Sequence, residues 1–519
     1  MSDVSINTDR RTSPNWSGNV AARYLCLALM AIAIVALVVH FVAYLRYAWT
    51  AVAYPFELFE PEGIVWQQAM LIPGPRMYGD INQYPFIVFH YPPVYHLIVH
   101  AFAALGVDPL AFGRAISLFG TLVIGAVVSS LTFRAAGDDS PRFARYAGAA
   151  VAGLVFFCFY PVVAMSPLMR SDMPAIALSF LGVWFATRPA RGALWLYLAM
   201  TVFVIAVFTK QTSIVAPLTT VAILYLVKPR QALKLCGFGL LLGSVPLAIM
   251  EWVTNGGFLR HLVLYNINRF SFSLLALQFE QQWPQFIFLA LALISLFMAW
   301  QRTIAAKAWN GPADFRRDLA SDRKTRFLAF MTLYLVLATF SLITVGKSGG
   351  GLNYFVEWMG ILSVLIGMLF TEAVRFLGAP SVNRATLTAG LFLPILLLAQ
   401  IRVLPASIHS DSEDKARLEE LRGLVARIRD AGKPVLSEDM VLTMRAGKQV
   451  SWEPAIFTEL SSAGRWDDRH IIDLIDSHYF AFVITHGDDE RHTQVVERAI
   501  ETAYPKIEWI GGREVRLPP

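Results

Sequence analysis

The first residues that suggest chemistry are acidic and lie close together. Glu57, Glu60 and Glu62 fall within six residues of one another. Carboxylates this close repel one another unless they are protonated, bound to a cation or paired with a basic group. A solvated acidic loop is the alternative interpretation. Proline at positions 55 and 61 and Gly63 restrict the backbone here, which favours an organised site.

Polar and aromatic residues that suit ligand contact follow in the same stretch of chain. Asp80 precedes His90, and Tyr91 and Tyr95 flank a Pro-Pro-Val segment. A proline at the first helical position is pre-organised, so a rigid entry into an interfacial helix is an alternative role for this segment. We interpret His90 as a hydrogen-bonding or substrate-contacting residue rather than a metal ligand.

Three later segments bring basic, amide and acidic groups next to apolar stretches. They contain Arg170 and Asp172, then Lys210 and Gln211, then Asn353, Tyr354 and Glu357. An arginine and a lysine in such positions suit phosphate binding. Two alternatives stay open: an interfacial ion pair between Arg170 and Asp172, and a Lys210 side chain that extends to the lipid headgroups.

A membrane domain must position these residues. The chain has 519 residues, of which 56% are hydrophobic and 16% charged, and its mean hydropathy is +0.51. A soluble protein has about 25% charged residues. Apolar stretches of about 20 residues recur through roughly the first 400 positions, and each can cross a hydrocarbon core about 30 Å thick. The composition therefore excludes a soluble multi-domain enzyme and predicts an all-α polytopic membrane bundle.

We predict about eleven transmembrane helices from the apolar windows. Their centres lie near Ala33, Val123, Val155, Leu181, Phe203, Ala222, Leu242, Ala292, Tyr334, Leu365 and Pro394. With a cytoplasmic N-terminal tail at 1–24, roughly 20 Lys and Arg fall on the inner side of the domain at 25–403, against about eight outside. The net charge of +6 then reports topology rather than a nucleic-acid partner.

This orientation predicts a multi-pass protein of the bacterial inner membrane, with the polar residues named above on its outer side. A large external loop would span about 48–110, and loops of that length are usually functional. Cys26, Cys158 and Cys236 lie far apart in apolar stretches, which indicates neither a disulfide framework nor a zinc site.

The C-terminal part, 404–519, predicts a small soluble α/β domain outside the cytoplasm. An apolar stripe indicates a helix that begins near Ser412 and ends before Gly432. The stripe consists of Leu418, Leu421, Leu424, Val425 and Ile428. Strand-like runs at 435 and 480–485 flank a helical segment at 471–475.

Five segments match one known family in order and character. They are Glu60-Pro61-Glu62-Gly63, Tyr91-Pro92-Pro93-Val94-Tyr95, Arg170-Ser171-Asp172, Lys210-Gln211-Thr212 and Asn353-Tyr354-Phe355-Val356-Glu357. The chain resembles integral-membrane glycosyltransferases of the GT-C fold, especially the family 39-like bacterial relatives of protein O-mannosyltransferases and of lipid A aminoarabinose transferase. Many relatives have Asp-Glu-Gly where this chain has Pro-Glu-Gly, so Glu60 and Glu62 both remain candidates for the catalytic carboxylate.

The resemblance implies transfer of a monosaccharide, with inversion, from a polyprenyl-phosphate carrier to a lipid, glycan or protein acceptor of the envelope. The outer side lacks nucleotide sugars, so an activated sugar must arrive there on a lipid. Glu60 or Glu62, with Asp172, would be catalytic, and Arg170 and Lys210 would bind the donor phosphate. The sugar and acceptor would contact Glu57, Asp80, His90, Tyr91, Tyr95, Gln211, Asn353, Tyr354 and Glu357.

A divalent cation is left open, and oxygen ligands favour magnesium, manganese or calcium over zinc. The main rival function is a secondary transporter or lipid flippase. Transporters tend to have repeated halves and binding groups near the bilayer midplane, whereas the ionisable residues here cluster at the outer ends of the predicted helices. A scaffold whose membrane part is only an anchor is less consistent with so many spans.

Overall fold

The computed structural model describes residues 16–188, 193–307, 309–380, 382–403, 415–487 and 491–519. The part up to residue 403 is a helical bundle. Its α-helices are α1 Trp16–Ala53, α2 Glu62–Leu71, α3 Val94–Ala103, α4 Pro109–Ala135, α5 Arg142–Phe156, α6 Tyr160–Met165, α7 Asp172–Ala186, α8 Leu194–Thr209, α9 Val215–Val227, α10 Pro229–Val253, α11 Gly257–Leu259, α12 Phe272–Glu280, α13 Phe286–Lys307, α14 Pro312–Ser321, α15 Arg323–Ser341, α16 Phe355–Leu377 and α17 Arg384–Val403. A π-helix, Arg260–Leu264, and 3-10 turns at Trp283–Gln285, Leu342–Gly346 and Leu352–Tyr354 complete the described helices.

Seven stretches of this bundle are long and apolar enough to cross a membrane, and they contain α1, α4, α10, α13, α15, α16 and α17. Every centre predicted from the sequence lies inside a helix. Four of those helices, α5, α7, α8 and α9, have only 13 to 16 residues. The turn with Arg170 precedes α7, and the turn with Lys210 and Gln211 separates α8 from α9. The predicted all-α polytopic bundle is confirmed.

One end of the bundle, here called the loop end, collects the candidate residues. Helix α7 starts at Asp172, while α8 finishes just before Lys210 and α16 starts at Phe355, so these points share one end. The loop between α1 and α4 adds α2 and α3 to it. Helix α1 continues to Ala53, a few residues beyond the predicted start of this loop. Which end of the bundle faces the cytoplasm stays a prediction.

Residues 415–519, here called the C-terminal unit, form a helix-covered sheet at the loop end. Its helices are α18 Lys415–Asp430, α19 Met440–Arg445, α20 Pro454–Ser462, α21 Arg469–Asp476 and α22 Gln494–Ala503, and its strands are β1 Leu436–Ser437, β2 Val483–Thr485, β3 Lys506–Ile510 and β4 Arg513–Leu517. The strand order is β1-β2-β4-β3; β1 and β2 are parallel, and the other two pairs are antiparallel. The predicted C-terminal α/β fold is thus confirmed.

The apolar stripe of α18 is buried as expected. Leu421, Leu424 and Ile428 pack with Ile484 and Val515 of the sheet. The described part of α18 starts at 415, and the predicted start near Ser412 lies outside the described residues. Each run named from the sequence in this unit corresponds to an element or its edge, and the hairpin of β3 and β4 was not predicted.

The loop between α1 and α4 packs directly on the C-terminal unit. The backbone N–H of Phe86 donates to the carbonyl of Ser451 at 2.9 Å, and Phe86 and Trp452 share one apolar cluster. Helix α2 approaches α19 so closely that a Cβ added to Gly63 would lie 2.5 Å from the Met440 carbonyl carbon. Only glycine fits there, which gives the Glu-Gly motif a packing role.

Candidate functional site

Asp172 lies at the centre of the residues that the structure brings together. It is 2% exposed, and its Oδ2 accepts a hydrogen bond from Arg170 Nε at 2.9 Å. Its Oδ1 accepts from Lys210 Nζ and, at 2.5 Å, from Asn353 Nδ2. Three of the segments singled out in the sequence therefore meet at a single carboxylate.

Aromatic rings surround the two cations. Lys210 Nζ lies 5.7 Å from the ring centre of Tyr91 and 5.3 Å from that of Tyr354. The Arg170 guanidinium lies 5.2 Å from the ring centre of Phe59 and contacts the Tyr91 hydroxyl at 3.5 Å. Such rings stabilise a cation through their negative faces.

The charges of this buried group do not cancel. Arg170 and Lys210 are 8% and 6% exposed, and together they carry two positive charges against the single negative charge of Asp172. A surplus positive charge away from water is stabilised by a bound anion, and arginine suits phosphate oxygens in particular. The arrangement is therefore suited to hold one anionic group.

Glu62 lies outside this group and is fully paired. Its carboxylate is 0% exposed and accepts from Arg114 Nε at 2.7 Å and Nη2 at 2.6 Å. It also accepts from the backbone N–H groups of Leu58, Phe59 and Met169. Glu62 thereby connects the acidic loop, residues 57–62, and the residue before Arg170 to Arg114 of α4. These contacts make Glu62 a positioning residue.

Glu60 has a different environment. Its side chain is 29% exposed and forms an ion pair with Arg491 of the C-terminal unit. It directly follows Phe59, whose ring covers Arg170. Glu60 is therefore a partly solvated carboxylate, one residue along the chain from the ring that covers Arg170.

Glu57 belongs to a third environment, a charged cluster with the C-terminal unit. It lies 3.7 Å from His486 Nε2, and His486 Nδ1 lies 3.1 Å from Glu438. Burial, followed by repulsion from Asp439, raises the pKa of Glu57 well above its usual range. Burial opposes protonation of His486, but its hydrogen bond to Glu438 and the nearby carboxylate of Glu57 prevail and raise its pKa to about 9.

The other predicted contact residues divide into near and distant groups. Gln211 Nε2 donates to the His90 carbonyl at 2.8 Å, and His90 Nε2 contacts Glu453 at 2.9 Å, so both border Tyr91. Glu357 accepts from the Tyr334 hydroxyl at 2.6 Å, on the helix that follows Asn353 and Tyr354. The remaining two are engaged elsewhere: the Tyr95 hydroxyl donates to the Gly113 carbonyl, and the exposed Asp80 accepts from the Asn82 backbone.

The residues considered for a divalent cation do not form a metal site. Within the described ranges, no group of three His, Cys, Asp or Glu side chains is arranged to hold a metal. Asp172 is already bonded to two cationic side chains and an amide donor. Because these donors occupy the positions that a cation would need, no step is assigned to a metal.

An apolar groove opens beside the cationic group. It has a volume of about 680 Å³ and is lined by helices α3, α8 and α10. Its walls include Pro93 just before α3, Val94 and Leu97 of α3, Thr201, Val204, Ile205 and Phe208 of α8, and Phe238, Leu241, Leu242, Val245, Pro246, Ile249 and Met250 of α10. Phe208 and Pro93 are each two residues from Lys210 and Tyr91, so this part of the groove lies near the site.

Several partners of the predicted residues were not identified from the sequence. They are Phe59, Arg114, Tyr334, Glu453 and Arg491. Arg114 carried a usable signal, because a charge at the start of an apolar helix marks a functional or structural ion pair. The other four residues gave no signal in the sequence, because each lies far along the chain from its partner or is a common aromatic residue.

Comparisons with known proteins agree with this fold. No protein-family model and no curated sequence matches the chain. Among solved structures, ArnT from Cupriavidus metallidurans in the apo state is 13% identical, with 92% of this chain and 97% of that chain covered and a TM-score of 0.54. The same protein bound to undecaprenyl phosphate is 14% identical, with 96% and 98% covered and a TM-score of 0.53.

A third solved structure is more distant. The oligosaccharyltransferase of Archaeoglobus fulgidus in the apo form is 9% identical, with 89% of this chain and 69% of that chain covered and a TM-score of 0.50. Both proteins are glycosyltransferases of the GT-C fold. The likeness extends over nearly the whole chain, so the chain has the GT-C fold that its motifs indicate.

Proposed function

We propose that this chain is an inverting glycosyltransferase that moves a monosaccharide from a polyprenyl-phosphate carrier to an acceptor of the cell envelope. The observation that carries the proposal is the buried group of Arg170, Lys210 and Asp172, with its surplus positive charge, near an apolar groove. ArnT, which shares the fold, was solved with undecaprenyl phosphate, and this supports a carrier of the same class.

The donor would bind with its phosphate on the cations and its chain in the groove. Arg170 and Lys210 donate to the phosphate oxygens, and Asp172 and Asn353 keep the two cations in place. The isoprenoid chain lies along α3, α8 and α10, where each buried methylene contributes about 0.8 kcal/mol. A groove open to lipid admits a carrier from within the bilayer.

Glu60 is the carboxylate that we assign as general base. An acceptor oxygen attacks the anomeric carbon from the face opposite the phosphate, its proton passes to Glu60, and the bond between the anomeric carbon and the phosphate oxygen breaks. The phosphate gains a negative charge, which Arg170 and Lys210 stabilise. Glu62 is unsuited to the role, because Arg114 and three backbone N–H groups already occupy its carboxylate.

The test is sugar transfer by detergent-purified protein without any sealed compartment. Undecaprenyl-phosphate-linked hexoses and pentoses are offered with envelope extract as acceptor, and products are identified by mass spectrometry. We expect Glu60→Gln to lower turnover by about 10²-fold or more, because general base catalysis is lost. Lys210→Gln should lower it by about 10²–10³-fold, because a donor to the developing charge is removed.

Glu280→Gln is the matched control, since it makes the same change at an exposed residue of α12. It should transfer sugar at the wild-type rate, and all variants should keep the wild-type elution volume and melting temperature. Full activity of Glu60→Gln would remove the assigned base. Transport of the carrier in vesicles without any transfer in detergent would instead support a flippase.

A further inference from the structure

A second charged cavity lies at the end of the bundle opposite Asp172. Helices α7, α9 and α4 finish at this end, and α15 begins there. The cavity has a volume of about 330 Å³, and Arg188, Lys228, Arg323 and Arg326 line it. No Asp or Glu is among its described lining residues.

The arginine at the rim is held in a fixed orientation. The Arg188 guanidinium lies 3.9 Å from the ring centre of Trp184 and 4.1 Å from that of Trp195. Trp184 is itself fixed, because its indole N–H donates to Ser130 Oγ at 2.9 Å. Stacking on both rings holds the guanidinium while its edge N–H groups stay available for an acceptor.

A further arginine supports the same region from inside the bundle. Arg134 Nη1 donates to the Trp184 carbonyl at 3.1 Å, and its ring contact with Trp184 is 5.4 Å. Its buried Nη2 has no hydrogen-bond partner among the residues that the structure describes. A buried donor of this kind is costly unless an acceptor reaches it.

Basic residues at one end of a membrane protein are ordinary, since they set its orientation. The neighbouring cavity at the same end shows what that ordinary pattern looks like. Each of its basic residues has a carboxylate partner: Arg302 and Arg375 both contact Glu372 at 2.6 Å, and Lys307 lies 3.3 Å from Asp322. Lys324 contacts Asp139 at 2.5 Å.

The basic residues of the cavity lined by Arg188 and Lys228 lack such partners. Among the described residues, Arg188, Lys228, Arg323 and Arg326 have no carboxylate within 4.0 Å. The nearest acid in sequence, Asp322, is used to cap α15 through the N–H groups of Lys324 and Thr325. Within the part of the chain that the structure describes, these four basic residues therefore have no carboxylate partner, whereas each basic residue of the neighbouring cavity has one.

We propose that this cavity is a binding site for the phosphate group of an anionic ligand, with Arg188, Lys228 and Arg323 as its cationic contacts. Several like charges within one recess repel one another, and a bound phosphate relieves that repulsion. The proposal is independent of the transferase function, because the two sites lie at opposite ends of the bundle.

The other walls of the cavity suit the apolar part of a lipid. Ile223, Leu224 and Val227 of α9 and Phe327 and Phe330 of α15 line it beside the basic residues. Basic pockets between membrane helices recognise anionic lipid headgroups in this way. Phosphate chemistry is shared by a phospholipid headgroup and by a soluble phosphate compound, so the experiment offers both.

The test measures binding to purified full-length protein by native mass spectrometry. The probes are dioctanoyl phosphatidylglycerol, dioctanoyl phosphatidylcholine as the lipid without net charge, and inorganic phosphate. Each basic residue contributes about 1 kcal/mol to contact with an anionic lipid, so Lys228→Gln should weaken phosphatidylglycerol binding about fivefold. The double variant Arg188→Gln with Arg323→Gln should weaken it about thirtyfold.

Arg302→Gln is the control, because it removes one positive charge from the neighbouring cavity, where Arg302 is paired with Glu372. It should leave binding unchanged. Lys228 is exposed, so its variant keeps the test valid even if loss of the stacked Arg188 impairs folding. Equal binding of the two lipids, or an equal loss in Arg302→Gln, would overturn the proposal. Phosphate binding with the same dependence on the variants would support the site and identify a soluble ligand.

Discussion

Glu60 and Glu62 are separated by a single residue, and the structure gives them opposite surroundings. Glu62 points into the protein, where Arg114 and backbone N–H groups surround it. Glu60 points to the boundary between the loop and the C-terminal unit, where water reaches it. A carboxylate with all its acceptor positions occupied stabilises structure, and one that is partly solvated can take up a proton.

We predict that Glu62→Gln destabilises the protein by about 3–5 kcal/mol, because it leaves the charge of Arg114 buried without its counter-ion. Thermal unfolding in detergent, compared with Glu280→Gln, measures this loss. Arg114→Gln should have a similar cost, and the double variant should cost less than the sum of the two. A stable but inactive Glu62→Gln protein would contradict the positioning role.

From the sequence we could predict which groups meet at the candidate site better than which groups pair with one another. Arg170, Asp172 and Lys210 were recognised because charges next to apolar stretches are costly and need a reason. The choice between Glu60 and Glu62 was not available, since it depends on Arg114, more than 50 residues away along the chain. The spacing of apolar residues shows which face of a helix is buried. It does not show which distant residue pairs with a side chain in a loop.

At the scale of elements, helices α3, α8 and α10 define what the groove accepts. We predict that Ile205→Trp, which adds bulk to the groove wall, raises the KM for an undecaprenyl-linked donor and leaves kcat nearly unchanged. Donors with a two-isoprene chain should be affected much less, because they do not extend along the wall. Kinetics with both chain lengths measure the difference, and equal effects on both would show that the chain lies elsewhere.

The contact between the acidic loop and the C-terminal unit depends on pH through His486. Folding raises the pKa of His486 from about 6.5 to about 9. The contribution of His486 to the free energy of unfolding is therefore complete below about pH 6.5 and is lost as the pH rises through about 9. We predict a melting temperature that falls between about pH 6.5 and 9, and a flatter profile in His486→Gln. His470→Gln, an exposed histidine of the same unit, should keep the wild-type profile.

The charged groups around His486 determine this pH dependence. Glu57, Glu438 and Arg513 act on His486 itself, while His492 pairs with Glu438 and Asp439 pairs with Arg513. A wild-type profile that is flat over the same range would show that His486 exchanges its proton without weakening the contact.

Some elements could be read from the chain and others could not. Long apolar runs gave the helix centres because their length matches the bilayer. The strands β3 and β4 were missed although their residues alternate around Gly511 and Gly512, both of which have a positive φ. That alternation is a usable hairpin signal, because Lys506 and Glu508 alternate with Ile507 and Trp509 before the two glycines, and our prediction did not use it.

At the scale of the whole molecule, the bundle and the C-terminal unit share apolar clusters. Ile81, Phe86 and Val88 of the loop pack with Trp452 and other residues of the unit. We predict that deletion of 404–519 exposes this surface and abolishes transfer, although Arg170, Asp172 and Lys210 remain. Limited proteolysis should cut the 54–108 loop rapidly in the truncated protein. Retained activity with a protected loop would show that the unit is dispensable.

The uneven charge of the Arg170, Lys210 and Asp172 group has a consequence for the order of events in a catalytic cycle. A sugar phosphodiester carries one negative charge, which matches the single positive surplus. The spent carrier is a phosphomonoester that carries roughly 1.5 to 2 negative charges near neutral pH. The product carrier should therefore bind this group more tightly than the donor does, and it should dissociate more slowly than the donor. We expect polyprenyl phosphate to inhibit competitively, with an inhibition constant below the KM of the donor, and departure of the carrier to limit the rate.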